Sequence, residues 1–173
     1  KLLNEQGEFL SAAEGNEVLR IAEAEDFVFA DVEHLGQVIP DNTYMQKHIE
    51  RVLALGLVDV EAIKAAHFRV AIDCVNSVGG RIIPELLHAL GVEEIFKLHC
   101  APHGRFAHNP EPIPENLTEI SDLMKHAKAD VGFVVDPDVD RLAIICENGE
   151  MFNEEYTLVA VADYVLSHTP GST

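Results

Sequence analysis

Between residues 68 and 147 short apolar runs alternate with segments of helical spacing, and no other feature restricts the fold as much. Residues 68–74 form an apolar run of strand length. Gly79 and Gly80 then lead into a helix over 81–90, which Gly91 stops. Residues 94–99 read as a short strand, 117–129 as a helix with Asn116 as N-cap, and 130–135 and 141–147 as two further strands, the last followed by an Asn148-Gly149 turn. Strands that alternate with helices bury their apolar faces in layered α/β domains. The link from Val135 to Arg141 is too short for the dozen or more residues of a parallel crossover, so the last strand runs antiparallel. The expected architecture is a three-layer α/β/α sandwich over residues 41–152, with a mixed, mostly parallel, four-stranded sheet.

The flanks read more simply. Residues 11–24 are rich in Ala and Glu and predict a helix, while 25–40 form connecting chain ending in Ile39-Pro40. Tyr44, Ile49, Val52 and Leu53 recur at helical spacing within 41–57, with Asp41 or Asn42 as N-cap, and 60–66 form a second short helix. Residues 101–115 hold Pro102, Pro110, Pro112 and Pro114 without any period and predict a loop. A last helix spans 153–167. Glu154 and Glu155 place negative charge at its start, and Tyr156, Val159, Val161, Tyr164 and Val165 are packing residues.

Charge and composition exclude several function classes. A formal net charge of −18 repels nucleic acid, whose binders need basic patches. It does not exclude a small anionic substrate held at a local basic site. No apolar run reaches the roughly 18 residues of a membrane helix, so no membrane partner is expected. The chain opens at Lys1 without a signal peptide or an initiating Met and reads as an excised piece. Cys74, Cys100 and Cys146 are too few for a disulfide framework. Each lies in an apolar, strand-like stretch, which predicts buried free thiols in a reducing compartment, the cytoplasm.

The run that carries chemistry is Val134-Val135-Asp136-Pro137-Asp138-Val139-Asp140-Arg141-Leu142. Three carboxylates alternate in a short loop after an apolar strand, and alternate residues of an extended chain point the same way. Three anionic groups converging there repel one another unless a cation holds them. Hard oxygen donors in this number suit Mg²⁺. Three competing readings exist. A polar turn explains Asp and Pro but not strict alternation followed by Arg. A calcium loop would place Asp136, Asp138, Asp140 and Glu147 at positions 1, 3, 5 and 12, but position 6 is Arg141 where Gly is required, and the flanks are strand-like. Asp136 could also be the nucleophile of a phosphatase, which the third Asp and the Arg fit less well.

The segment Asp136-Pro137-Asp138-Val139-Asp140-Arg141 resembles the Asp-Gly-Asp-Gly-Asp-Arg metal loop of the α-D-phosphohexomutases, the phosphoglucomutase and phosphomannomutase family. Pro137 and Val139 replace the glycines, and the three ligands and the Arg are intact. Ala71-Ile72-Asp73-Cys74-Val75-Asn76-Ser77-Val78-Gly79-Gly80 is similar to the opening strand and glycine turn of that family's second domain. Phe106-Ala107-His108-Asn109-Pro110-Glu111-Pro112, followed by Glu115-Asn116-Leu117, is similar to the loop before its next helix. The resemblance implies that residues 1–40 close a first domain, 41–152 form the second, metal-binding domain, and 153–173 open a third. It also implies reversible transfer of phosphate between the 1- and 6-positions of a hexose, through a phosphoserine and a 1,6-bisphosphate. Mg²⁺ would sit on Asp136, Asp138 and Asp140, and Arg141 would act near the transferring phosphate. The partners implied are a hexose phosphate and the remaining domains of the same enzyme.

The family's phosphorylated Thr-Ala-Ser-His-Asn-Pro loop does not occur in the sequence. The chain therefore carries no phosphoserine and is expected to be inactive alone. His108 is a candidate substrate-binding, ligand or acid/base residue, with a structural hydrogen bond as the alternative. Gly79-Gly80 lacks the spacing of a phosphate loop and reads as a tight strand-to-helix turn.

Overall fold

The structure, a computed structural model, describes residues 2–169 and residue 171. It divides into two compact units, a first ending at Asp41 and a second beginning at Asn42.

In the first unit, the Asn4 side chain accepts from the amides of Gln6 and Glu8, both at 3.0 Å, and a single antiparallel bridge joins Leu3 to Phe9. Helix α1 (Ala12–Glu23) is held by local chemistry alone, with none of its residues buried. Ser11 caps it reciprocally: the Glu14 amide donates to Ser11 Oγ at 3.3 Å, and the Ser11 amide donates to Glu14 Oε2 at 2.7 Å.

The second unit opens with α2 (Tyr44–Leu53) and α3 (Val60–Ala66). Asp59 caps α3, its carboxylate accepting from the Ala62 amide at 2.9 Å. Neither Asp41 nor Asn42 caps α2. That helix starts directly after Thr43, without a side-chain cap. Then follow β1 (Arg69–Asp73), α4 (Gly79–Ala89), β2 (Glu94–Leu98), α5 (Thr118–Ala127), β3 (Val131–Val135), β4 (Leu142–Cys146), β5 (Met151–Phe152) and α6 (Glu154–His168). Asn116 is not the cap of α5. Pro114–Asn116 make a 3₁₀ turn, and the Asn116 side chain donates to the Glu111 carbonyl at 2.8 Å.

The sheet has five strands in the order β2-β1-β3-β4-β5, where four were expected. The additional strand is two residues long, too short to show a period in sequence. The Asn148-Gly149 turn folds it back on β4, with the Cys146 amide donating to the Glu150 carbonyl at 2.8 Å. Strand β1 pairs parallel with both β2 and β3, and β3 pairs antiparallel with β4 through Val131↔Cys146 to Val135↔Leu142. The tight link after Val135 dictates that reversal.

Helices cover both faces. On one, Ala71, Val134, Ala143 and Ile145 pack against Leu117, Ile120 and Met124 around α5. On the other, Val70, Ile72, Cys74 and Val135 pack against Leu87 and Val92, with Ile63 of α3 and Ile83 of α4 alongside. A central strand covered on both faces reads as continuously apolar, as residues 70–72 do. Truncating a fully buried side chain such as Ile120 or Met124 to Ala costs about 2–5 kcal/mol in such a core. One close approach fixes the start of α4: a Cβ on Gly80 would lie 2.0 Å from the Cys100 carbonyl oxygen. Gly79 and Gly80 thus form the first turn of the helix rather than leading into it.

The thiols are free; Cys74 is buried, Cys100 and Cys146 half-buried. A hydrogen bond with Cys100, then burial, pushes the Cys74 thiol well above the ordinary range, as suits an inert core thiol. Among the described residues, no helix is long and apolar enough to cross a membrane.

Candidate functional site

Because β1 and β3 are parallel, their C-terminal ends lie at one edge of the sheet, and a buried carboxylate stands at each: Asp73, the last residue of β1, is 1% exposed, and Asp136, directly after β3, is 2% exposed. Ligands of open α/β sheets bind outside this edge. The loop after β1 is fastened to the loop after β3 by Ser77, whose hydroxyl donates to the Pro137 carbonyl at 2.7 Å.

Asp136 is held at every oxygen. Its Oδ1 accepts from the amides of Asp140 and Arg141, at 3.0 and 3.2 Å, and its Oδ2 accepts from Arg141 Nε at 3.1 Å. These donors fix the carboxylate and offset part of its charge, so a buried anion is tolerated there. The turn that aims it requires Val139 in the left-handed region, at φ +61°. Asp138 and Asp140 are exposed beside it, and one oxygen from each of the three carboxylates lies within 4.8 Å of the others. The donor set is all hard oxygen on a short, tethered loop, which fits Mg²⁺. Strands, not helices, flank the loop, so a helix–loop–helix calcium hand is ruled out.

Arg141 is exposed and lies between Asp136 and Glu111, to which its Nη1 also donates. Those contacts, Asp136 first, hold its guanidinium above its ordinary range, so it stays charged at any working pH. Glu111 was not foreseen as a site residue. Its acidic position four residues before Glu115 in a Pro-rich loop carries no spacing signal, and only the fold brings it to Arg141.

His108 does not join the aspartate loop. Its Nε2 lies 3.0 Å from Asp73 Oδ2, and its Nδ1 lies 2.8 Å from the Asn109 carbonyl oxygen. His99 Nδ1 is also 3.0 Å from Asp73 Oδ2. Asp73 and His99 escaped the sequence reading. The available signal was a carboxylate ending a fully apolar strand, which demands a buried partner.

Residues 44–149 match the family model described as phosphoglucomutase/phosphomannomutase, alpha/beta/alpha domain II. This chain belongs to the phosphoglucomutase/phosphomannomutase family. It is 34% identical over 172 residues to a phosphoglucomutase/phosphomannomutase of Thermococcus kodakarensis, covering 99% of this chain and 37% of that protein. It is 28% identical over 167 residues to a Methanopyrus kandleri protein named a probable phosphoglucosamine mutase, covering 96% and 35%. A crystal structure of a phosphoglucomutase/phosphomannomutase family protein from Burkholderia thailandensis superposes with a TM-score of 0.74 at 28% identity, covering 95% of this chain and 33% of that one. The chain thus spans about a third of the length of the curated relatives it matches. For this family's second domain, the three-layer fold inferred from strand and helix alternation is the observed one.

Proposed function

We propose that this chain supplies the metal-carrying domain of a phosphohexomutase, which moves phosphate between the 1- and 6-positions of a hexose through a phosphoserine and a 1,6-bisphosphate. The observation that carries the reading is the convergence of Asp136, Asp138 and Asp140 beside Arg141 at the carboxyl edge of the sheet. The names of the relatives, which include glucose, mannose and glucosamine phosphate mutases, support the reaction class and leave the sugar open. In the same reading, residues 1–40 close a first domain, 153–173 open a third, and the three free thiols suit the cytoplasm.

Asp136, Asp138 and Asp140 would hold Mg²⁺, which when bound neutralises charge on phosphoryl oxygens during transfer. Asp136 is pre-aimed by the Asp140 and Arg141 amides, so little reorganisation is needed to bind. Arg141 presents a rigid, permanently charged fork at the mouth of the site, and an incoming phosphate would compete with Glu111 for it. His108 acts as a positioning residue, since both its ring nitrogens already face acceptors of the chain. The phosphatase reading is disfavoured because it leaves the convergence of Asp138 and Asp140 on Asp136 without a purpose, whereas a Mg²⁺ site uses all three carboxylates.

Mn²⁺, a paramagnetic substitute for Mg²⁺, tests this even if binding is weak. Amide resonances of residues 136–141 should broaden first on titration, and Asp138→Asn should weaken the effect at least about tenfold. No broadening at the loop, or broadening there that is unchanged in Asp138→Asn, would remove the loop from the mechanism. A beryllofluoride adduct on Asp136 would instead establish the phosphatase chemistry.

A further inference from the structure

A second cluster at the same sheet edge enters that reading only through His108. Asp73 ends β1, and His99 directly follows Leu98, the residue paired with Asp73 on β2. His108 enters from the loop that follows. The three side chains are nearly closed to solvent, at 1%, 17% and 15% exposure for Asp73, His99 and His108. One ligand atom from each lies within 4.8 Å of the other two.

The surroundings of the four ring nitrogens decide the chemistry. The inner nitrogens, His99 Nδ1 and His108 Nε2, both lie 3.0 Å from the same oxygen, Asp73 Oδ2. The outer nitrogens also face acceptors: His99 Nε2 lies 3.2 Å from Glu119 Oε2, and His108 Nδ1 lies 2.8 Å from the Asn109 carbonyl oxygen. A neutral imidazole carries one N–H, so two neutral rings can donate in only two of the four contacts. A cation between the inner nitrogens and Asp73 resolves the shortage. It takes the two inner lone pairs and leaves each outer N–H for its acceptor. Histidine ligands are ordinarily oriented in this way, by a carboxylate or backbone carbonyl on the far nitrogen. The remaining oxygen of Asp73 is likewise fixed, accepting from the Val75 amide at 2.9 Å. Around a tetrahedral ion with bonds of about 2 Å, neighbouring donor atoms stand about 3.3 Å apart, so the observed N···O separations need to open only slightly.

We propose that Asp73, His99 and His108 form a second metal site, for a divalent transition ion of the Zn²⁺ type with one coordination position open. Two imidazoles and one carboxylate are borderline donors that suit Zn²⁺, whereas the all-oxygen aspartate loop suits Mg²⁺, so the two sites select different ions. Filling this one pins the loop that carries Glu111, the partner of Arg141.

The test uses the 173-residue chain in excess Mg²⁺, titrated with Zn²⁺ and, as a spectroscopic probe, Co²⁺. The wild type and Asp138→Asn should each retain one equivalent of Zn²⁺ after dialysis. His99→Gln and His108→Gln should lose it. Glu119→Gln, a change at an exposed position that leaves all three ligands in place, should weaken binding by roughly 10–100-fold. The Co²⁺ form should show the intense visible bands of a four-coordinate site. Folded wild-type chain that retains no Zn²⁺ would overturn the proposal, as would equal retention in both histidine variants. Nitrogen NMR showing an N–H on all four ring nitrogens in the presence of Zn²⁺ would also overturn it, in favour of a pair of imidazolium rings held by carboxylates.

Discussion

At residue scale, the aspartate loop has an unusual backbone cost. Val139 occupies the left-handed region at φ +61°, where a β-branched side chain is strained by about 1–2 kcal/mol. Its side chain is half-buried against the Val135 side of the core, which offsets part of that strain. Val139→Ala keeps the Cβ in the strained region and loses the packing. Val139→Gly loses the packing and the strain together. The Gly variant should therefore be more stable than the Ala variant by about 1 kcal/mol in urea unfolding, the reverse of the usual order. An Ala variant at least as stable would show that the turn is not held in this conformation. Gly80 is the opposite case, a position where space and not φ excludes a side chain. With the Cys100 carbonyl oxygen 2.0 Å from its would-be Cβ, Gly80→Ala should cost about 2 kcal/mol or more and shift the β2-side loop. The same denaturation series, with amide shifts of residues 99–101, would read both effects.

At the scale of elements, α1 and α5 are stabilised by different physics. Helix α5 buries Ile120 and Met124 in the core, so its stability is that of the whole sheet. Helix α1 buries nothing and depends on its caps and charge pairs, a marginal situation for a helix of 12 residues. The Ser11 side chain, then the Ser11 backbone, hold the Glu14 carboxyl below its ordinary range, and Arg20 does the same for Glu17. A lowered folded-state pKa stabilises above the unfolded value and is lost as pH falls through the folded one. Helicity of α1 should therefore be intact at neutral pH and fade below about pH 4, while amides of β1 and β3 keep their shifts. Ser11→Ala should weaken α1 at neutral pH by about 1 kcal/mol and flatten part of that acid transition. Residue-resolved NMR from neutral to acid pH would show it, and an α1 that holds its helical shifts in acid would contradict the capping account.

At the scale of the molecule, the chain holds an aspartate loop and Arg141 but no Thr-Ala-Ser-His-Asn-Pro segment. Phosphoryl transfer depends on charge neutralisation and in-line positioning of a phosphate donor. The purified chain should accordingly interconvert no hexose 1- and 6-phosphates, with or without Mg²⁺, in a coupled assay. Metal-dependent turnover would mean that another group in this chain accepts the phosphate. Helix α6 also leaves Leu158, Val159 and Val161 mostly exposed, although the Tyr164 hydroxyl donates to the Leu57 carbonyl at 3.0 Å.

The sequence by itself determined whatever depends on neighbours along the chain. Apolar runs of strand length, the short link after Val135 and three alternating aspartates were enough for the layered fold, the reversed strand and the convergence of Asp136, Asp138 and Asp140. Each is a local pattern, because side-chain direction and chain reversal repeat over two to a few residues. Strand β5 was missed because two residues carry no period, and the cap of α5 because a 3₁₀ turn took the place assigned to Asn116. The meeting of Asp73 with His108 and of Arg141 with Glu111 spans 35 and 30 residues, across a proline-rich loop without pattern. Only the tertiary structure decided those pairs. A buried carboxylate at a strand end must find donors, but parallel pairing of β1 with its neighbours fixes which side chains arrive there.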